Sequence, residues 1–166
     1  MGCDIHSYVE VKQANGTWHA PLGFQTDSNL AYPEIYVAMK YTTNAPSPVN
    51  DRNYDLFGFL AGVRRDTTPA LTWLGIEGWG DEYCHARGLP DDMAEFTAKE
   101  WKDWDGDGHS AGWLTLAELK HALVASMIVG EADGFSESLQ WSIAQIEQAT
   151  FPTPPEDVRL VFWFDN

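Results

Sequence analysis

Four short clusters of polar residues interrupt otherwise apolar segments of this chain, and their residue types could do chemistry. They are Asp4 with His6, Arg52-Asn53-Tyr54-Asp55, Asp107-Gly108-His109-Ser110, and Asp165-Asn166; Arg87-Gly88-Leu89-Pro90 is a candidate fifth. A carboxylate and an imidazole two residues apart on a strand point the same way, and such a pair can hold a divalent metal or orient a proton shuttle. Carboxylate, imidazole and amide groups drawn from separate segments form an oxygen- and nitrogen-ligated metal set. The expectation is therefore that Asp4, His6, His109 and Asp165 gather around one divalent metal ion, with Asp4, His6 and His109 as acid–base groups. A bound metal would polarise a phosphoryl oxygen and lower the pKa of a bound water. Arg52 or Arg87 would grip a phosphate bidentately, with Asn53, Asp55 and Ser110 completing a ligand pocket.

Each cluster also has a plainer reading. Asp51, Asn53 and Asp55 stand at an expected helix start, where capping accounts for them. Asp4 and His6 can face solvent or bond one another, and Asp165 and Asn166 can be frayed terminal residues. Only convergence would turn the clusters into a site.

The elements that must position these groups follow from hydrophobic periodicity. Cys3 to Lys12 alternates as a strand, with Cys3, Ile5, Ser7, Val9 and Val11 on one face and Asp4, His6, Tyr8, Glu10 and Lys12 on the other. Asn15-Gly16 predicts a hairpin turn into Thr17 to Ala20. Residues 21–50 read as a long irregular crossing with one short element around 34–40. Asp51 to Arg64 reads as a helix capped by Asp51 or Asn53, and residues 66–83 read as a surface insertion. Asp92 with Glu95 predicts a capped helix with Met93, Phe96 and Trp101 inward, ending before Asp103. Thr115 with Glu118 predicts a second capped helix to about Val129, with Leu119, Ala122, Leu123 and Met127 inward. Ser138 to Ala149 is a third amphipathic segment carrying Trp141, Ala144 and Ile146 inward, stopped by Pro152, Pro154 and Pro155. Val158 to Asn166 is almost wholly apolar, which predicts a central strand. If it pairs antiparallel with the first strand, Asp165 meets Cys3 to His6. The expected fold is α+β: one domain over residues 1–166, with a mixed or antiparallel sheet containing the N-terminal hairpin and the C-terminal strand, packed on three to four helices.

Composition bounds the function. The chain has 166 residues and a formal net charge of −15, from 10 Lys plus Arg against 25 Asp plus Glu. That charge argues against direct binding to nucleic-acid phosphates and is compatible with plain solubility or with a partner that has a basic surface. No run of about 18 apolar residues is present, so no membrane-spanning helix is expected. No basic-then-apolar leader opens the chain, so no secretory signal is expected. Met1-Gly2-Cys3 invites a lipidation reading, but His6 stands where myristoylation wants Ser or Thr. Two cysteines, Cys3 and Cys84, fit reduced thiols in a cytoplasm. Asp103, Asp105, Asp107 and Gly108 imitate half a calcium loop, but Leu114 stands where its bidentate Glu is required. Phosphate-loop, nucleophile-elbow, His-Glu-x-x-His and paired Cys-x-x-Cys patterns are absent from the sequence.

Several blocks together resemble a widespread, uncharacterised family of small phage and prophage proteins. They are Met1-Gly2-Cys3-Asp4-Ile5-His6, Arg52-Asn53-Tyr54-Asp55-Leu56-Phe57 with Leu60 to Arg64, Arg87 to Asp92, Asp107 to Ser110 with Trp113-Leu114, and Phe162 to Asn166. Two departures stand out. Gly112 occupies a position where that family often has a second serine, and residues 66–83 are longer than usual. The resemblance implies a phage origin and the cytoplasm of a bacterial host, and it carries no activity. Two functions fit. One is a divalent-metal-dependent phosphoesterase acting on a nucleotide or similar small phosphorylated ligand. The alternative is a non-enzymatic anti-defence protein that sequesters a nucleotide signal or turns its acidic surface on a host defence protein or nucleic-acid-binding enzyme.

Overall fold

A computed structural model describes residues 2–20, 48–49, 52–64, 87–104, 106–130 and 132–166, and the statements that follow concern those residues. The expected element at 34–40, the 66–83 insertion, Asp51 and Cys84 lie outside them.

Strand β1 (Asp4–Lys12) turns into the short β2 (Trp18–His19). Helix α1 (Tyr54–Ala61) and helix α2 (Glu95–Asp103) follow, then strand β3 (His109–Thr115) runs directly into helix α3 (Leu116–Ile128). Helix α4 (Ser136–Thr150) and a single 3-10 turn (Pro155–Asp157) lead to the closing strand β4 (Val158–Asp165). The sheet order is β2-β1-β4-β3 and every pairing is antiparallel. The architecture is the expected α+β, with the apolar C-terminal strand central and paired to the N-terminal one. No helix among the described residues is long and apolar enough to cross a membrane.

Both faces of the sheet are covered. On one face, Cys3 just before β1 and Ile5 and Val9 of β1 lie with Val158, Leu160, Phe162 and Phe164 of β4 and Leu114 of β3 in the main core, against α1, α3 and α4. On the other, Tyr8 stacks on Trp163 with ring centroids 4.9 Å apart, and α2 closes over them. Phe96 meets Tyr8 edge-on at 6.1 Å, and Trp101 meets Trp163 edge-on at 5.3 Å. β4 is therefore buried on both sides, which is why it reads as one unbroken apolar run rather than an alternation.

The helix ends show which local signals act. Asn53 caps α1 by accepting the N–H groups of Asp55 and Leu56, and Gly62 ends the helix in the left-handed region at φ 66°, which a glycine adopts without a Cβ penalty. Thr115 and Glu118 form the complete reciprocal capping box of α3. The expected Asp92 box does not form: Ala94 is the N-cap of α2 and makes no side-chain cap. Asp92 accepts instead from Arg159 and Trp18, charge-assisted bonds stronger than a neutral cap. Three core assignments also change, those of Met127, Trp141 and Ala144. Met127 and Trp141, expected inward, are 47% and 46% exposed. The buried stripe of α4 is Leu139, Ile143 and Ile146 at i, i+4 and i+7, and that phase turns Trp141 and Ala144 outward. Strand β3 carries no clear sequence signal, because Ala111 and Gly112 dilute its alternation.

Candidate functional site

The register of β1 on β4 places Asp4 opposite Asp165, and His6 opposite Trp163. Directly paired residues share a face, so Asp4, His6 and Asp165 stand together where the two chain ends meet. His6 Nε2 lies 3.2 Å from Asp165 Oδ2, and the Asp4 backbone N–H donates to Asp165 Oδ1 at 3.2 Å. Arg52, one residue before the cap of α1, closes its guanidinium fork on Asp4: Nη2 lies 2.6 Å from Oδ2, and Nε contacts Oδ1. That hydrogen bond holds the Asp4 carboxyl below its ordinary range, against a smaller effect of burial. Arg64 Nη2 donates to Asn166 Oδ1 at 3.0 Å, so a second arginine ties down the last residue.

The His6 ring is sandwiched. Trp104 lies 4.0 Å away, centroid to centroid, and Trp163 6.0 Å. The side chains of His6 and Asp165 are 21% and 19% exposed, enough for solvent or a small ligand to reach them. A carboxylate only accepts, so this contact calls for a proton on Nε2 and leaves Nδ1 as the basic nitrogen. A carboxylate so placed orients the imidazole.

His109 does not join this group. It pairs with Phe164 and its ring stacks over Phe164 at 6.2 Å, on the face that Phe164 shares with Ile5. A bulge between His109 and Gly112 breaks the ladder there, with Ser110 at φ 51°. His6 and His109 therefore stand on opposite faces of the sheet, and the expected quartet is divided three to one. His109 Nδ1 lies 3.0 Å from Ser110 Oγ, while Nε2 is buried without a hydrogen-bond partner. Among the described residues no group of three or more His, Cys, Asp or Glu side chains is arranged to hold a metal ion.

The remaining expected residues are engaged elsewhere. Asn53 spends its oxygen on the cap and its amide on Gly134 O, 2.9 Å away. Asp55 lies in the first turn of α1, where negative charge suits the helix dipole. Arg87 grips Glu118 with two bonds of 3.0 and 2.9 Å and lies over the Trp113 ring at 4.3 Å. Burial alone would raise the Glu118 carboxyl, but the bonds from Arg87 and from the Thr115 N–H outweigh it and hold the group below its ordinary range. Trp113 pairs with Val161, two residues along β4 from the Trp163 that faces His6, and both Arg87 Nη atoms are taken up by Glu118 rather than turned to the Asp4–His6 group.

A second polar network went unrecognised in the sequence. Arg159 and Glu10, 2% and 0% exposed, pair across β1 and β4, with Arg159 Nε 2.7 Å from Glu10 Oε2. Arg159 also donates to Asp92 at 2.7 Å and is stacked over Trp18 at 3.9 Å. Burial opposes ionisation of Asp92, yet the bonds from Arg159 and Trp18 hold its carboxyl below the ordinary range. The available signal was one arginine inside an apolar strand, which requires a buried counter-charge.

No protein-family model, curated protein or solved structure matches the chain.

Proposed function

We propose that this is a phage-encoded accessory protein that binds a small phosphorylated ligand where its two chain ends meet. The observation that carries the reading is the unbroken polar chain Arg52–Asp4–Asp165–His6, built from both terminal strands and the residue that precedes the cap of α1. Arg52 is 61% exposed, and its fork already grips a planar carboxylate. A phosphoryl group offers the same fork two oxygens and can take the place of Asp4. His6, oriented by Asp165, is placed to give or take a proton, and the half-buried Trp104 beside it offers an aromatic face to a nucleobase. The resemblance of both chain ends to phage proteins supports a setting in the host cytoplasm.

A divalent metal is a second reading, favoured by the 3.2 Å approach of His6 to Asp165; the Asp4 carboxylate, turned to Arg52, completes no three-group set among the described residues as it stands. The metal would displace Arg52 from Asp4 and would supply Lewis-acid polarisation of a phosphoryl oxygen. His109 is not part of either reading.

Native mass spectrometry and elemental analysis of the purified protein, followed by calorimetric titration with inorganic phosphate and with nucleoside monophosphates, test the proposal. The expected result is binding of a phosphorylated compound that weakens at least tenfold in Arg52→Ala. Loss of bound metal in His6→Ala would favour the second reading, and no binding by the native chain would refute both. Conversion of the bound compound would mark a phosphoesterase; its recovery unchanged would mark a protein that sequesters it.

A further inference from the structure

Seven large apolar side chains are exposed among the described residues, and six of them fall between residues 124 and 151. Four sit at the end of α3: Val124, Met127, Ile128 and Val129, with Ile128 80% exposed. Trp141 of α4 is the fifth. Two contacts align the helices side by side and antiparallel. Lys120 Nζ pairs with Glu147 Oε1, and Gln140 Nε2 lies 3.9 Å from Met127 Sδ. Those contacts bring Val124 level with Ala144, itself exposed, and set Trp141 next to the Met127–Ile128 end. The outer face of the hairpin is thus a continuous apolar seam rather than scattered side chains, and such seams mark interaction surfaces.

The sequence that forms this face carries almost wholly negative charge. From His121 to Val158 the chain contains no Lys or Arg and carries Glu131, Asp133, Glu137, Glu147, Glu156 and Asp157. Lys120, just before this stretch, is already paired with Glu147. Glu137 is exposed one helical turn from Trp141, on the same stripe of α4.

We infer that the α3–α4 face is a docking surface for a protein with an apolar ridge flanked by Lys and Arg, the kind of surface that otherwise grips nucleic-acid phosphates. An apolar centre with a charged rim is the usual anatomy of a protein interface, the rim steering encounter and the aromatic anchor holding it. A second copy fits less well, because a two-fold contact would set acidic rim against acidic rim. A lipid surface also fits less well, because interfacial helices place Lys and Arg, not Glu, beside their apolar face. The inference stands on surface chemistry and does not rest on the ligand site at the chain ends.

A fluorescein-labelled amphipathic peptide of leucine and lysine, read by anisotropy at 0.15 M salt, is the probe. The intact protein should bind it at least tenfold more tightly than a peptide in which every lysine is replaced by glutamate. Ile128→Asp should weaken binding at least tenfold, with the far-ultraviolet circular dichroism unchanged because the side chain is exposed. Glu137→Lys should weaken it at least threefold. Glu95→Lys, an identical charge change on the helix that covers the opposite face of the sheet, should not. Three results would overturn the inference: equal loss in the two lysine variants, full binding by Ile128→Asp, or sedimentation showing a dimer that Ile128→Asp dissolves.

Discussion

Replacing Arg159 by Met tests whether the second face of the sheet is held by the buried charge network. Arg159 and Glu10 are almost completely removed from solvent, and among the described residues Glu10 has two polar partners, Arg159 and the Ala94 N–H at 2.8 Å. Methionine keeps the aliphatic stem, gives up the guanidinium's place over Trp18 and Trp113, and leaves the Glu10 carboxylate buried beside a single neutral donor. Breaking a buried pair in this way costs about 3–5 kcal/mol. Native domains hold only about 5–15 kcal/mol in all, so the loss should be visible in any unfolding assay. For a chain of this length it lowers the melting temperature by roughly 6–20 °C. The companion variant Glu10→Gln/Arg159→Met removes the stranded charge while keeping an acceptor for the Ala94 N–H. It should recover at least about 1 kcal/mol of the single variant's loss, since coupling between contacting groups is typically about 0.5–3 kcal/mol. Urea denaturation of the native chain, both single variants and the double variant completes the cycle. A loss below about 1 kcal/mol in Arg159→Met, well short of the range for a broken buried pair, would refute the reasoning. So would a double variant no more stable than Arg159→Met alone.

Three further outcomes are expected. Thr115→Ala removes the hydroxyl that accepts the Glu118 N–H at 3.1 Å and should destabilise the protein by about 1 kcal/mol, measured by urea denaturation. Gly108→Ala would place a methyl group 2.5 Å from the Trp101 ring, which is itself packed on Trp163; the overpacking should cost about 1–3 kcal/mol, read from the thermal midpoint. The third concerns pH. The Glu118 and Asp92 carboxyls are held below their ordinary values in the folded chain, so the unfolded chain binds protons more readily. Their stabilisation is complete above about pH 5 and is lost as pH falls through about 4 and below. Urea midpoints between pH 7 and pH 3 should therefore decline less steeply in Glu118→Gln than in the native chain, and equal slopes would contradict the assignment.

Much of the architecture is legible in short stretches of the chain. The alternation of Cys3 to Lys12, the apolar run of Val158 to Phe164, the Asn15-Gly16 turn and the Thr115–Glu118 box each act within a few residues, where backbone geometry and local hydrogen bonding decide the outcome. The meeting of Asp165 with Asp4 and His6 was also legible, because a central closing strand has few partners to choose from. What local pattern could not supply was the side of the sheet on which a residue falls. A bulge of two residues against one, between His109 and Gly112, leaves His109 stacked on Phe164, on the face opposite His6. Nor could it assign partners to the charged residues. Asp92 suits a helix cap in sequence, but in space it lies beside a buried arginine 67 residues away, and the ion pair is the stronger claim. The residue types and strand periods belong to the sequence. Register, face and pairing belong to the folded chain, because they depend on contacts between segments that only the closed sheet brings within reach.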